Sequence, residues 1–440
     1  MSAVSAWNYS AGAGAAVKRR GSGLNKRNAN SGLAKQFSWV LLGRLAGALL
    51  QAGSMALLAR WSGPSGFGLF ASIYGIALII QTFIDFGLTT YIIRLRAQNA
   101  WHGSVGGSLR LIGQINVLVG AILVLVTCGL SVWDGMFLPF VPLAVWVVAD
   151  RQVETWLGVP LADGNTWQNA SSLVLRRSLA LVILLGGYYW GVDALLAYAT
   201  GLALSSLIAC APVMMLNRAV SARNSGTSIE LLRAARPYWF NSLATQARNF
   251  DAALVAIIAS PVSAGYYGAA SRLTTPLRMI PTSFAAVLMP AATRAGGENK
   301  MALVRSVLIL TAFTTVLYAS LAVVIPFVVP VVLGEEFDAA VPVIQIVCGG
   351  LVFAAIASQL GALMQGWGHA RAVAVVSSGT TLVCLLGIML LTPWVGVLGA
   401  GFALAGSYVV QVLVQLVFLW ANDRRSIRAI GVPEYRGSAG

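Results

Sequence analysis

Hydrophobic stretches of about 20 residues follow one another along almost the whole chain. They number about twelve and lie near residues 35–59, 66–93, 108–131, 137–158, 167–190, 193–216, 236–259, 263–290, 304–333, 339–364, 370–392 and 395–420. A helix needs about 20 apolar residues to cross roughly 30 Å of hydrocarbon. The pattern therefore predicts an all-α polytopic membrane protein with about 12 transmembrane helices.

The polar connections alternate in charge. Lys and Arg are concentrated in both tails and in every second connection except 159–166. The remaining connections carry Arg60 but are otherwise acidic, at Asp134, Asp193, Glu335, Glu336 and Asp338. Because loops rich in Lys and Arg stay in the cytoplasm, this alternation predicts an even number of spans with both termini cytoplasmic.

The two halves of the chain resemble each other. Residues 59–70 form a helix end, a short outer turn and a helix start rich in Gly and aromatic residues, and residues 259–268 repeat that order. With six helices each, both halves enter the membrane in the same direction, as parallel repeats do. We expect two pseudo-symmetric six-helix bundles. The expected boundaries are a disordered cytoplasmic tail 1–33, bundles 34–217 and 236–421, a cytoplasmic linker 218–235 and a cytoplasmic tail 422–440.

Composition supports the membrane assignment and excludes other classes. Hydrophobic residues make up 58% of the chain and charged residues 10%, whereas soluble domains carry about 25% charged residues. The net charge of +15 lies mostly in the tails and connections, so it does not form the basic patch of a nucleic-acid-binding face. The chain has no GxxxxGK[ST] sequence and no Cys/His cluster. We expect no metal, no cofactor and no nucleic acid.

Charged residues inside the spans are the strongest candidates for function. Arg248 lies about ten residues into its span, which is roughly 15 Å deep and near the midplane. Arg272 is also central, and Arg44 and Arg278 lie nearer the cytoplasmic side. An ionised side chain near the bilayer centre costs roughly 2.5–3.5 kcal/mol on insertion scales, so such residues usually face a wet interior.

Structural roles remain as alternatives for these charges. Arg44 and Arg278 have stems long enough to reach a headgroup region, and Asp251, three residues after Arg248, is placed to pair with it. Asp85 either pairs with Arg94 or accepts a proton. A further charged group is expected to neutralise itself near the cytoplasmic face, and it comprises Asp150, Arg151, Glu154, Arg176 and Arg177.

Short motifs in both halves resemble a known family. These motifs resemble segments of bacterial polysaccharide flippases of the Wzx type. In the first half they comprise residues 59–70 and 85–88, and in the second half residues 236–251, 265–268 and 281–290. Such flippases belong to the multidrug/oligosaccharidyl-lipid/polysaccharide exporter (MOP) superfamily. The resemblance implies two bundles facing across a central cavity. It also implies transport of undecaprenyl-pyrophosphate-linked oligosaccharides to the outer leaflet of the bacterial inner membrane.

The sequence thus leads to a hypothesis of a flippase, not an enzyme, that works by alternating access. The expected ligands of the pyrophosphate are Arg44, Arg248, Arg272 and Arg278. Gln51, Asn241 and Thr245 are the expected headgroup or sugar contacts, and Asp251 or Asp85 the expected ion-coupling groups. The lipid-linked oligosaccharide is the expected partner in the membrane, with a polysaccharide polymerase and a chain-length regulator as further partners.

Other functions remain open at this level. A multidrug or cation antiporter of the same superfamily would favour an acidic cavity, and a peptidoglycan lipid flippase would share the diphosphate chemistry. A membrane-embedded glycan polymerase or ligase usually needs a large outer loop, but no outer connection here exceeds about a dozen residues. A scaffold protein would leave the central arginines unexplained.

Overall fold

The computed structural model describes residues 24–98, 103–221, 227–294 and 300–430, and these ranges are almost entirely helical and contain no strand. The first half contains α1 (Leu24–Asp85), α2 (Leu88–Gln98), α3 (Gly103–Trp133), α4 (Val141–Ala162), α5 (Thr166–Tyr189), α6 (Ala194–Leu216) and the single turn α7 (Arg218–Ser221). The second half contains α8 (Ser228–Gln246), α9 (Asp251–Ile258), α10 (Pro261–Leu273), α11 (Thr275–Arg294), α12 (Lys300–Val332), α13 (Val341–Gly366), α14 (Ala370–Val395) and α15 (Val397–Ile430).

Helix α1 crosses the membrane twice. It turns sharply at Gly63, whose φ of 66° and ψ of 176° are not helical. A residue with a side chain rarely adopts this positive φ, so glycine is suited to the position. Pro64 follows and fits the first position of a new helix, where its missing N–H is not needed. Two helical passages therefore meet at Gly63 and Pro64, where the sequence predicted a short outer turn.

Nine helical segments in the described part of the chain are long and apolar enough to cross a membrane. One of them, residues 42–85, contains the kink and supplies two passages. Two further passages are interrupted: α8 and α9 are joined by a 3-10 turn, Ala247–Phe250, and α10 and α11 are separated at Thr274. Together these give twelve passages, and the predicted fold class is confirmed.

Several helix ends differ from the boundaries expected from the sequence. Helix α1 begins at Leu24, inside the segment predicted as a disordered tail, and α15 continues to Ile430. Part of the expected linker 218–235 is also helical, because α8 already begins at Ser228. That start is fixed by a capping box, in which Thr227 and Glu230 hydrogen-bond to each other's backbone N–H groups.

The two repeated segments of the sequence pack against each other. A Cβ atom at Gly68 would lie 1.7 Å from the carbonyl oxygen of Pro261, and one at Gly265 would lie 2.0 Å from the carbonyl oxygen of Pro64. Backbones approach this closely only where both positions lack a side chain. We call these four residues the glycine contact. It joins α1 of the first bundle to α10 of the second, at the end of the molecule predicted to face outward.

The main hydrophobic core contains residues of both bundles, and each bundle also packs within itself. In the first bundle, Tyr74 stacks on Trp146 with ring centroids 5.0 Å apart, and Phe70 lies 5.5 Å from Tyr74. In the second bundle, a glycine lets helices approach, since a Cβ at Gly350 would lie 2.7 Å from the Cα of Ala405. Close approach at small residues is typical of membrane helices, which gain from van der Waals packing more than from water exclusion.

Candidate functional site

A cavity of about 480 Å³ lies between the two bundles. Its lining carries five arginines and, among the described residues, a single carboxylate. These charged residues are Arg44, Arg177, Arg248, Arg272, Arg278 and Asp251. Gln51, on the same face of α1 as Arg44, also lines it. The four arginines singled out from the sequence therefore share one chamber with Gln51 and Asp251, and whether they bind substrate stays a prediction.

The cavity is placed where two helical passages break. Arg248 and Asn249 lie in the 3-10 turn between α8 and α9, and Arg272 lies in the last turn of α10, just before Thr274. Broken helices at membrane depth are tolerated where they line a polar chamber. The breaks thus bring two arginines and backbone polar groups to the same level of the bilayer.

Arg248 points from this turn toward α15. Its Nη2 donates a hydrogen bond of 2.6 Å to the hydroxyl of Ser407, and its guanidinium lies 4.5 Å from the centre of the Tyr408 ring. Arg278, from α11, lies 5.6 Å from the same ring centre. Two cations therefore lie beside one aromatic ring, which is an attractive environment for each guanidinium.

Arg272 and Asp251 belong to a second polar group. Arg272 donates a hydrogen bond of 3.1 Å from Nη1 to the side-chain oxygen of Asn249, and its Nη2 lies 3.8 Å from Oδ1 of Asp251. Asp251 accepts a further hydrogen bond of 3.0 Å from the hydroxyl of Tyr267. The carboxylate is buried, and its neighbours are all supplied by the second bundle.

The pair between Arg248 and Asp251, inferred as an alternative from their spacing, does not form. Tyr267 and Arg272 reach Asp251 from α10, while Arg248 bonds to Ser407 on α15. Tertiary partners on different helices have thus overridden the local i, i+3 relation. Arg248 is anchored by the neutral hydroxyl of Ser407 and Arg272 by Asn249 and Asp251, and both arginines still line the chamber.

Arg44 and Arg177 line the side of the cavity that belongs to the first bundle. Arg44 is exposed, and no described residue accepts a hydrogen bond from either guanidinium. Gln51 donates a hydrogen bond of 2.9 Å to the hydroxyl of Tyr74, which holds its amide at the cavity wall. Snorkelling of Arg44 to a headgroup is not needed to explain its position, because the cavity itself is polar.

Arg177 was missed as a cavity residue by sequence reasoning. Its neighbour Arg176 hydrogen-bonds to Asp150 and Glu154, which confirms mutual neutralisation for those three residues. Successive helical residues point about 100° apart, so Arg177 cannot share that direction and faces the chamber instead. The sequence did contain a signal for this, because two adjacent arginines on one helix cannot both point toward the same partners.

Asp85 lies outside the cavity. Its carboxylate accepts a hydrogen bond from the hydroxyl of Thr89, and Nε of Arg151 lies 3.7 Å away. The expected pair with Arg94 is wrong, since Arg94 hydrogen-bonds to the hydroxyl of Tyr238 instead. Asn241 and Thr245 belong to α8, but their side chains lie outside the described part of the structure.

Two family models match the sequence, and both are described as polysaccharide biosynthesis protein. One matches residues 33–138 and the other residues 170–342. Together they span more than half of the chain and include parts of both bundles. No curated protein matches the chain by sequence.

Three solved structures share the fold and are distant in sequence. An inward-facing multidrug resistance MATE family transporter of the MOP superfamily is 17% identical, with 90% of this chain and 96% of that one covered and a TM-score of 0.66. The lipid II flippase MurJ in an inward closed conformation is 11% identical, with 87% of each chain covered and a TM-score of 0.66. A MOP superfamily transporter from Pyrococcus furiosus, described as having a binding pocket of reverse polarity, is 16% identical, covers 89% and 96%, and has a TM-score of 0.59.

These similarities agree with the architecture found here, in which two six-helix bundles enclose a central chamber. The family models agree with the resemblance carried by the two repeated segments of the sequence. This multi-pass membrane protein matches polysaccharide biosynthesis proteins over residues 33–138 and 170–342, and it has the same fold as the MATE and MurJ transporters.

Proposed function

We propose that this protein is a flippase for undecaprenyl-pyrophosphate-linked oligosaccharide repeat units. It moves them across the bacterial inner membrane by alternating access, for the assembly of surface or exopolysaccharide. The single observation that carries the proposal is the cluster of five arginines in the chamber between the bundles. Arginines inside a membrane protein are costly and mark functional sites, and a chamber lined by five of them suits an anion.

The chemistry of arginine suits a diphosphate. The guanidinium is planar and always charged, and it can donate two parallel hydrogen bonds to one phosphate. Arg248 and Arg272 are held by Ser407 and Asn249, respectively, so they are oriented before substrate arrives. The headgroup passes through the chamber in this proposal while the polyprenyl chain stays in the lipid.

The balance of charge disfavours an organic cation as substrate. Asp251 is the one carboxylate among the described lining residues, and it already lies beside Arg272 and Tyr267. A drug cation would meet four further arginines without a free anionic partner. A peptidoglycan lipid shares the diphosphate, so the two anionic substrates must be distinguished by experiment.

Energy coupling is assigned to Asp251 in preference to Asp85. Asp251 lines the chamber in which substrate would bind, whereas Asp85 is buried beside Thr89 and Arg151. Protonation of Asp251, or binding of a sodium ion by it, would change the charge next to Arg272. Such a change links an ion gradient to the affinity of the chamber for an anion.

The proposal is tested by complementation of a bacterial strain that lacks its own polysaccharide flippase. Arg248→Ala and Arg272→Ala are compared with the wild type at equal protein levels, with Arg305→Ala as a control because Arg305 is exposed outside the chamber. Loss of a charge-assisted contact worth about 1.5–3 kcal/mol predicts a fall in surface glycan of about tenfold or more.

Lipid-linked repeat units should accumulate at the same time in the cytoplasmic leaflet. Normal surface glycan in both arginine variants would remove the assignment of the site. Rescue of a strain that lacks its lipid II flippase, without rescue of surface glycan, would identify the peptidoglycan precursor as the substrate instead.

A further inference from the structure

A second chamber of about 310 Å³ lies inside the second bundle and borders the central cavity. Arg248, Arg278, Leu351 and Tyr408 line both spaces. The two arginines that share the Tyr408 ring therefore stand at the entrance from the central cavity into this side chamber. Its remaining lining comes from α8, α11, α12, α13, α14 and α15.

The side chamber is rich in hydroxyl groups. Helix α14 presents Ser377, Ser378 and Thr381 on one face, at the spacing of neighbouring helical turns. Thr380 of the same helix also lines the chamber, and other helices add the hydroxyl and amide groups of Thr282, Tyr318, Ser358 and Gln411. Apart from the two arginines at the entrance, none of the described lining residues is charged.

Several of these hydroxyls donate to backbone carbonyls and so keep their lone pairs free. Thr381 donates to the carbonyl of Ser377 at 3.1 Å, and Thr380 donates to the same carbonyl at 3.0 Å. Tyr318 donates to the carbonyl of Leu277 at 3.0 Å. A hydroxyl has one donor and two acceptor sites, so a wall of this kind mainly offers acceptors.

The side chamber is large enough for a polar ligand. A volume of 310 Å³ corresponds to about ten water molecules at about 30 Å³ each. A ligand that replaces this water must supply hydrogen-bond donors without bringing a charge, because a buried polar group left unpaired costs about 1–3 kcal/mol. Sugars meet both conditions, since their rings carry several hydroxyl donors and many are neutral.

We propose that this side chamber binds the sugar next to the diphosphate of the lipid-linked glycan. The proposal rests on the flippase function proposed above. A diphosphate held by Arg248 and Arg278 places its first sugar at the entrance to the chamber. The Ser and Thr hydroxyls of α14 then accept hydrogen bonds from that sugar, and the chamber distinguishes a glycosylated carrier from the bare lipid diphosphate.

The test measures binding to the full-length protein in lipid nanodiscs. The probes are undecaprenyl pyrophosphate without sugar and a panel of undecaprenyl pyrophosphates that carry glucose, galactose or N-acetylglucosamine. The variants are Ser378→Ala and Thr381→Val, which remove one hydroxyl each. Thr315→Val is the matched control, because Thr315 also donates to a carbonyl one turn earlier in its helix but is exposed away from both chambers.

Each chamber variant is expected to weaken binding of the glycosylated probe that the wild type prefers by roughly fivefold, as for loss of one neutral hydrogen bond. Binding of the bare diphosphate should be unchanged, and Thr315→Val should leave both unchanged. Arg248→Gln should weaken both kinds of probe.

Two results would overturn the inference without affecting the proposed function. One is that no glycosylated probe binds the wild type more tightly than the bare diphosphate. The other is that Ser378→Ala and Thr381→Val leave the preference for the glycosylated probe intact. If no probe binds the wild type at all, the proposed flippase function itself fails.

Discussion

Tyr408 has two arginines beside its ring at the centre of the cavity. The guanidinium of Arg248 lies 4.5 Å and that of Arg278 5.6 Å from the ring centre. Two like charges beside one ring repel each other, and the ring offsets part of that repulsion through cation–π attraction. The arrangement is therefore prepared for an anion, which would complete the neutralisation that the ring begins.

Replacing Tyr408 should reveal this role. Tyr408→Leu removes the ring, and loss of cation–π contacts worth about 0.5–2 kcal/mol each predicts a several-fold fall in surface glycan in the complementation assay. Tyr408→Phe keeps the ring and should retain most of the output. Equal loss in both variants, at normal protein levels, would show that the hydroxyl matters and not the aromatic face.

Asp251 reduces the positive charge of the chamber in a way that can be measured. Asp251→Asn removes the carboxylate beside Arg272, so undecaprenyl pyrophosphate should bind roughly three- to tenfold more tightly to the purified protein. Transport in cells should fall, because the variant lacks the group that responds to the ion gradient.

Asp85→Asn is the matched comparison for that variant. Asp85 lies outside the chamber next to Thr89 and Arg151, so its replacement should leave the affinity for the diphosphate unchanged. If Asp85→Asn abolishes transport while Asp251→Asn supports it, the coupling group has been assigned to the wrong aspartate.

Depth along the helix was enough to find most of the charged cavity residues from sequence. Arg248 and Arg272 lie too far from either interface to reach water along their stems, so burial in a wet interior was the remaining solution. Their exact partners were beyond sequence reasoning, because Ser407 is brought near Arg248, and Asn249 near Arg272, only by tertiary packing. Arg177 was likewise not recognised as a cavity residue. Only the direction of its side chain on the helix distinguishes it from the neighbouring Arg176, which is paired.

Among the elements, α1 and α10 form the closest approach between the bundles. Their glycine contact leaves no room for a side chain at Gly68 or Gly265. This contact closes the end of the molecule predicted to face outward. Any conformation open to that side must separate it, and a residue that prevents its formation should favour the outward-open state.

Gly68→Ala is the smallest change that tests this contact. Its Cβ would lie 1.7 Å from the carbonyl oxygen of Pro261, so the closed arrangement must shift. Gln51→Cys, placed in the cavity wall of a variant without the native cysteines, should then react faster with a membrane-impermeant thiol reagent added outside. Gly53→Ala is the control, because a Cβ there meets nothing within 4 Å. Equal labelling rates in the two variants would contradict this account of closure.

The hydrophobic pattern predicted where helices run but not where they break. The expected span 236–259 covers the 3-10 turn Ala247–Phe250, and the span 263–290 covers the break at Thr274. The turn Ala247–Phe250 carries no glycine or proline, which are the usual local signals of a break, and its residue Asn249 is bonded to Arg272 of another helix. The break at Thr274 does have a local signal, because Pro276 follows it and cannot donate a backbone hydrogen bond to the preceding turn.

The molecule as a whole combines one closed end with a polar chamber between the bundles. The first bundle contributes Arg44 and Arg177 to the chamber, and the second contributes Arg248, Arg272 and Arg278. A site made by both bundles opens to one side of the membrane and then to the other when the bundles rock against each other. The internal doubling of the sequence has a direct consequence at this scale, because the repeated segments of the two halves meet in the glycine contact.

A cross-link between the bundles should stop this motion. A Cβ at Gly268 would lie 2.9 Å from the Cβ of Ala71 across the bundle interface, and a disulfide needs only a small shift to its usual Cβ separation of about 3.8 Å. In a variant without the native cysteines, oxidation of the pair Ala71→Cys and Gly268→Cys should abolish transport, and a reductant should restore it. Undecaprenyl pyrophosphate should still bind.

The pair Gly387→Cys and Ala403→Cys provides a control with the same geometry, since a Cβ at Gly387 would lie 3.0 Å from that of Ala403. These positions lie on α14 and α15 of one bundle, so a disulfide there joins helices that move together. Transport should survive its oxidation. If the cross-link between the bundles also leaves transport intact, the outer ends need not separate, and substrate would have to cross without alternating access.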